Sequence, residues 1–422
     1  MRKHRPDFAI ALIVLALMSA SLIIVYAIGP RVAQALNSQY GTEYSDTYFL
    51  IRHVFAIAMS VAAIVAGYLV KYEKVGKYAK TLVFISAGLC LLVKILAILH
   101  VDALVTCDKG ACRALRIPGI GIGFMPSEIL KVAILFYLSW LIKDRKEKKE
   151  LTIFNSDFDW NELKERGIKA IPSIFNMRFV LPFALLMLAV VVLVGWWESD
   201  FGSTVVIATM SLAMLWIGKM PPKDLLAMLV VGGIIAAILI FGADYRVQRI
   251  TNENSYHQES SLISMGTGGI LGVGLGNSIQ ATGYLPEALS DSIFSIICET
   301  WGFVGASAIL IAFFVLFWRM ISASQRTVDL DKRLFVIGVF AWIIAHVIIN
   351  VGGMTGVTPM KGITLPFLSY GGTSMMFVAY ATGVVLQISG WTAREAIEEK
   401  NENTSSRRGQ RGTRYSSSRG RS

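Results

Sequence analysis

Charge is scarce in this chain. Asp, Glu, Lys and Arg make up 16% of its 422 residues, against 54% hydrophobic residues. A soluble protein carries about 25% charge, so the ordinary soluble class is excluded. A nucleotide-binding signature is also missing. The run GTGGILGVGLG has the glycines of a phosphate loop but neither the Lys-Ser/Thr ending nor a preceding strand. Its glycines suit tight turns and close helix approach instead. Cysteine is rare, with four in all. Cys90 and Cys298 lie in apolar segments, while Cys107 and Cys112 share one polar loop. That spacing fits a local disulfide or two free thiols; a zinc site would need ligands that are not nearby. No internal repeat of the kind found in inverted-repeat transporters is evident. No small-residue cleavage site follows the first apolar run, so that run is read as a helix and not as a signal peptide.

What remains is hydrocarbon-length apolar sequence. A membrane-crossing helix needs about 20 such residues. The chain offers ten segments, at about 8–28, 50–70, 81–100, 128–142, 179–197, 201–218, 225–242, 292–318, 334–351 and 369–388. The expected architecture is an all-α polytopic membrane domain over 1–390 with a large extracellular loop, 243–290, between the seventh and eighth helices. The net charge of +11 would suggest nucleic acid in a soluble protein. Here the Lys and Arg residues gather in the loops after the second, fourth, sixth and eighth segments and in the tail, so the positive-inside rule accounts for them and no nucleic-acid partner is expected. Both termini are then cytoplasmic. The tail, 391–422, is basic and disordered by composition.

This topology collects the unusual polar residues on the outer side. Asp200, Arg246, Glu287, Asp291 and Lys361 all face outward, with Arg52 at the mouth of the second segment. Glu287 and Asp291 stand four residues apart where a polar loop meets the eighth segment. If that helix begins at Ser292, Glu299 lies about 10 Å below its mouth. A carboxylate at such depth costs about 2.5–3.5 kcal/mol and faces a cavity, a partner or a substrate. Mixed acids and bases at the bilayer surface suit a substrate with an anionic headgroup and a lipid tail. Arg holds phosphate with two parallel donors, Lys as a point charge, and a carboxylate within reach serves as a base toward a sugar hydroxyl. Plainer roles fit the same residues. Asp291 and Asp200 suit helix N-caps, Glu128 and Lys131 can pair along one helix face, and Glu287 can be a solvated loop acid. Arg246 and Arg249 can anchor on lipid phosphates, and Lys94 can snorkel. Lys361 sits in a Gly/Pro-rich loop of the kind tolerated at membrane depth only where it is buried or lines a cavity. His53, His257 and His346 suggest no role.

The motifs GACRALRIPGIGIGFMPSEILK, WESDFGSTVVI, DYRVQRI, SLISMGTGGILGVGLGNSIQATGYLPEALSDSIFSIICETWGFVG and NVGGMTGVTPMKGITLPFLSYGGTS occur in that order. In order and spacing the chain resembles the SEDS glycosyltransferases (FtsW, RodA, SpoVE) over nearly its whole length. GLGNS before YLPEA and the Lys361-Gly362 pair before LPF are most similar to the FtsW branch. The resemblance implies an inverting, lipid II-dependent peptidoglycan glycosyltransferase at the outer face of the cytoplasmic membrane, acting at the division septum. A lipid-linked precursor flippase and a RodA-like elongation polymerase are the alternatives. It implies Asp291 as the catalytic general base. Arg52, Arg113, Ser127, Glu128, Lys131, Asp200, Arg246, Glu287 and Lys361 are its substrate-binding candidates. No closed metal-ligand set is visible, and a divalent cation (Mg or Mn) would screen the diphosphate. The implied partners are lipid II, an undecaprenyl-linked glycan chain, a class B penicillin-binding transpeptidase and other divisome membrane proteins.

Overall fold

A computed structural model describes residues 6–101, 104–108, 111–116, 123–154, 175–241, 253–358 and 362–390. Helices occupy each of the ten expected segments. Seven are long and apolar enough to cross a membrane: α1 (Phe8–Tyr40), α2 (Tyr48–Leu69), α4 (Ala79–Ile98), α6 (Met177–Trp197), α10 (Ile293–Arg326), α11 (Leu330–Met354) and α12 (Gly372–Gly390). The short α3 (Tyr72–Lys77) links α2 to α4. Three more helices, α5 (Pro126–Glu147), α7 (Phe201–Ile217) and α8 (Pro222–Phe241), complete the set. Pro126 opens α5, where its fixed φ suits a helix start and its missing N–H is not needed. The last turns of α6, Val191–Trp197, widen to π geometry. This bulge falls beside a charged corner, a common place for one.

Burial ranks the helices. In α11, 72% of the spanning stretch is buried, against 17% in α4. The strand-forming Ile, Val and Phe of α11 are therefore core, and α5, α7 and α10 pack around it. The exposed apolar side chains of α2, α4 and α8, such as Phe55, Phe84 and Leu226, form the outer wall; in a membrane protein that wall faces lipid. At the end carrying both chain termini, Lys143 meets Asp331 at 3.1 Å. There Arg319 pairs with Asp7, and Gln387 donates to the carbonyls of Tyr68 and Val70 at 2.7 and 2.8 Å. These contacts fix the helix ends where the basic loops lie.

Two features depart from the expected all-α bundle with an open loop. First, β1 (Val105–Asp108), β2 (Ala111–Arg116) and β3 (Gly123–Phe124) form a small antiparallel sheet. Val105 opposes Leu115, and both bury against Val93 of α4. Cys107 and Cys112 are paired positions of this hairpin, and Cys112 is disulfide-bonded. Second, the loop between α8 and α10 contains a further helix, α9 (Glu253–Gly268). Its buried face is Ser260, Ser261 and Ser264, small and polar, so no apolar period announces it. The small face permits close packing: a Cβ on Gly268 would lie 1.9 Å from the Cys298 carbonyl of α10. The tail beyond 390 lies outside the described residues.

Candidate active site

Asp291 lies one residue before the N-cap of α10. The cap itself is Ser292, so the N-cap role open to Asp291 in the sequence is not the one it takes. The Ser292 hydroxyl donates its one proton to the Pro286 carbonyl at 2.8 Å and so accepts from His257 Nε2 at 2.6 Å. On the other side, Asn350 of α11 gives one amide hydrogen to the Asp291 carbonyl and the other to the Ile363 carbonyl, both at 2.7 Å. Tyr370 N–H donates to the Leu289 carbonyl at 2.8 Å. The 289–292 backbone around Asp291 is thus held from three elements, with Asn350 bonding Asp291 itself, while Asp291 stays half-buried. A Cβ on Gly362 would come within 3.2 Å of Asp291 Oδ2, which places that carboxylate against the 362–371 loop. The backbone here is strained: Glu287 has φ 49° and Phe367 φ 64°, values that side-chain-bearing residues adopt rarely and mostly where the surroundings over-determine them. Glu287 is an exposed loop acid that accepts from Ser290 Oγ at 2.9 Å.

A second charged group sits at the same end of the bundle. Lys131 Nζ contacts Glu128 Oε1 at 2.8 Å, with both side chains buried, as pairing one turn apart on α5 predicts. Asp200 caps α7 by accepting from Ser203 N–H at 2.9 Å. Burial alone would raise the Asp200 pKa, but Lys131, Arg113 and the Ser203 hydrogen bond outweigh it and hold the carboxyl below its ordinary range. Arg113 reaches in from β2 and donates to the backbone carbonyls of Glu198 at 3.0 Å and Ser199 at 3.2 Å. Ser127, at the start of α5, is buried beside the Glu198 carboxyl, and Glu128 Oε2 is unpartnered.

One helix connects the two groups. Trp342, His346 and Asn350 follow at four-residue intervals on one face of α11 and span about 12 Å. The Lys131 ammonium lies 5.6 Å from the Trp342 ring centroid. Trp342 Nε1 donates to His346 Nε2 at 3.1 Å. Indole is only a donor, so His346 carries its proton on Nδ1 and gives it to the Thr364 carbonyl at 3.0 Å.

Glu299 does not face a substrate cavity. It is fully buried and accepts from Ser278 Oγ at 2.6 Å, Ile279 N–H at 2.9 Å, Gln280 N–H at 3.3 Å and Ser264 Oγ at 3.3 Å. It clamps the glycine-rich loop to α10. Arg52 lies on α2 near the Tyr48 ring, 5.3 Å from its centroid, and its charge is felt by Tyr370. That puts Arg52 on the Asp291 side of the site. Arg246 and Lys361 lie outside the described residues. His346 and Asn350 are single polar residues in an apolar helix and carry no periodic signal, and His257 is one polar residue among many on the polar α9. The interval of four between Trp342, His346 and Asn350 was the one available clue.

Apolar helices, a cluster of buried charges at one mouth of the bundle and loops folded over that mouth define the class: a multi-pass membrane protein with a polar site at one end. The chain belongs to the cell cycle protein family of FtsW, RodA and SpoVE, whose family model matches residues 8–393. It is 29% identical to Stage V sporulation protein E of Bacillus subtilis (strain 168) over 93% of this chain and 99% of that protein. It is 27% identical to a probable peptidoglycan glycosyltransferase FtsW of Geobacter metallireducens over 92% and 95% of the two chains. Among solved structures, a chain of a peptidoglycan synthase complex that coordinates polymerization and crosslinking shares the fold. It has a TM-score of 0.66 and 21% identity, with 92% of this chain and 98% of that one covered. Thermus thermophilus RodA shares the fold as well, with a TM-score of 0.60 and 21% identity over 91% and 96% of the chains.

Proposed function

We propose that this chain is a peptidoglycan glycan-strand polymerase that uses lipid II at the outer face of the cytoplasmic membrane, in septal synthesis. In this reading the chain crosses the membrane ten times with both termini cytoplasmic, and the Asp291 mouth opens outside. The reading is supported above all by the half-buried Asp291 carboxylate, whose backbone is fixed by Asn350 at the bundle end where Lys131 and Arg113 gather. In this mechanism Asp291 takes the proton of the acceptor sugar 4-hydroxyl. That oxygen attacks the anomeric carbon of the lipid-linked donor strand, the carbon–oxygen bond to the diphosphate breaks, and the electron pair leaves with the diphosphate. Attack opposite the leaving group inverts the centre. Arg113, Lys131 and Arg52 supply positive charge for the diphosphates, joined by Arg246 and Lys361. Ser127, Glu128, Asp200 and Glu287 supply sugar-facing polar groups.

Among the described residues no cluster of three or more His, Cys, Asp or Glu side chains could hold a metal ion. These residues do not fit a resident cation. Mg or Mn enters only as a counter-ion of the diphosphate, and no step runs through it. The partner in this reading is a class B penicillin-binding transpeptidase within the divisome.

The test uses purified full-length protein with its transpeptidase and labelled lipid II. Wild type should form glycan chains, and Asp291→Asn should lose about 10²–10⁴-fold in rate, the usual contribution of a general base. Polymerisation by Asp291→Asn at the wild-type rate would overturn the assignment. Lipid II crossing a liposome without polymerisation would replace it with a flippase.

A further inference from the structure

Glu198 is an acid at this end of the bundle whose carboxylate no cation or backbone N–H bonds directly. Its side chain is 1% exposed, and its hydrogen-bonding neighbours are the neutral Cys90 thiol and Ser127 hydroxyl. Arg113 is beside it, but the guanidinium is turned to the backbone carbonyls of Glu198 and Ser199. The groups facing Glu198 among the described residues come from four places. Cys90 comes from α4, Ser127 from α5, Arg113 from β2 and Asp200 from its own corner. The corner is rigid, because Ser199 between the two acids is held at φ 52°. A charge count follows. The cluster holds three acids, Glu128, Glu198 and Asp200, and two cations, Lys131 and Arg113. Glu128 has Lys131, and Asp200 has the Ser203 N–H and the fields of both cations. Glu198 has only the neutral Cys90 and Ser127 side chains and no charged donor of its own. Burying an unpaired carboxylate is the costliest outcome available, so a proton stays on it.

We propose that Glu198 is a positioning residue that works as an uncharged carboxylic acid, leaving Asp200 as the sole negative charge of the corner, so that an anionic lipid diphosphate drawn to Lys131 and Arg113 meets no further buried anion there. Burial is the main reason its carboxyl is pushed up to about 8, and the neighbouring Asp200 charge adds to this. When Glu198 ionises, a second buried negative charge competes with the diphosphate for the same two cations. The functional consequence rests on the polymerase reading; the protonation state itself does not.

Two measurements on the full-length protein in lipid nanodiscs test this. In the first, polymerisation of labelled lipid II is followed from about pH 6 to about pH 9.5. For wild type, KM should rise roughly tenfold per pH unit above about pH 8 while kcat changes less. Glu198→Gln, which fixes the neutral form, should keep a flat KM across that range. In the second, infrared difference spectra between wild type and Glu198→Gln near pH 7 should show a protonated-carboxyl C=O band in wild type only. The inference is overturned if the two pH profiles coincide or if the spectra show a carboxylate at position 198 at that pH. If neither protein polymerises lipid II, the polymerase reading fails separately, and the infrared band still decides whether Glu198 holds its proton.

Discussion

Lys131 and Glu128 form a buried ion pair that is poor as a source of stability. Desolvating both ends offsets most of the attraction, so removing one partner costs more than removing both. Lys131→Met should lower unfolding stability by about 3–5 kcal/mol, and adding Glu128→Gln should recover most of that loss. Thermal unfolding in detergent measures both, and polymerisation should stay lost in the double variant if Lys131 binds substrate. Asn350 offers a contrasting case. Asn350→Ala leaves two buried carbonyls without donors, at a cost of about 1–3 kcal/mol, and releases the Asp291 backbone; kcat should fall at least about tenfold with little change in KM. Glu198 sets a pH trend. Its folded carboxyl is raised to about 8 from the ordinary 4.5, so the folded state keeps a proton that the unfolded chain gives up. Stability therefore falls as pH climbs from about 4.5 to about 8, by at most about 1.4 kcal/mol per unit, and levels off above that. Chemical denaturation across this range should show the slope in wild type and none from this residue in Glu198→Gln.

Among the elements, the glycine-rich loop and α10 depend on close backbone contact. Gly272 has φ +81°, and a Cβ there would lie 2.3 Å from the Thr300 carbonyl. Gly272→Ala should cost about 3 kcal/mol through clash and backbone strain together, read as a lowered thermal midpoint and faster proteolysis between α9 and α10. Elements of this kind mark the border of what the sequence discloses. Long apolar helices were legible because hydrocarbon length leaves an unmistakable run of Leu, Ile and Val. Their ends were not: α1 runs to Tyr40 through Pro30, well past the apolar stretch, because helix continues wherever backbone bonds close. The polar α9 and the short strands β1 and β2 were missed since neither presents an apolar period. Glu128 with Lys131 and Asp200 as a cap were readable from local spacing alone. The Asp291 surroundings were not, since Asn350 and His257 reach them only through the folded chain.

At the level of the whole molecule, exposed cations gather at one end. Lys148 and Lys219 are exposed there, in the basic loops that the sequence places on the cytoplasmic side. Asymmetry of this kind fixes orientation across a bilayer. Single cysteines at Ser290 and Lys219 should report it in intact cells, with the first labelled by a membrane-impermeant maleimide from outside and the second labelled only after permeabilisation. The reverse pattern would invert the proposed topology. The native Cys90 and Cys298 are buried, which keeps the background low.

The row of Trp342, His346 and Asn350 has a mechanical meaning. No glycine or proline interrupts α11 between them, so the indole that lies against Lys131 and the amide that holds the Asp291 backbone are teeth cut in a single blade. Their separation is not adjustable by any loop. Whatever tilts that helix carries both ends of the site with it in one stroke, in step and never one against the other.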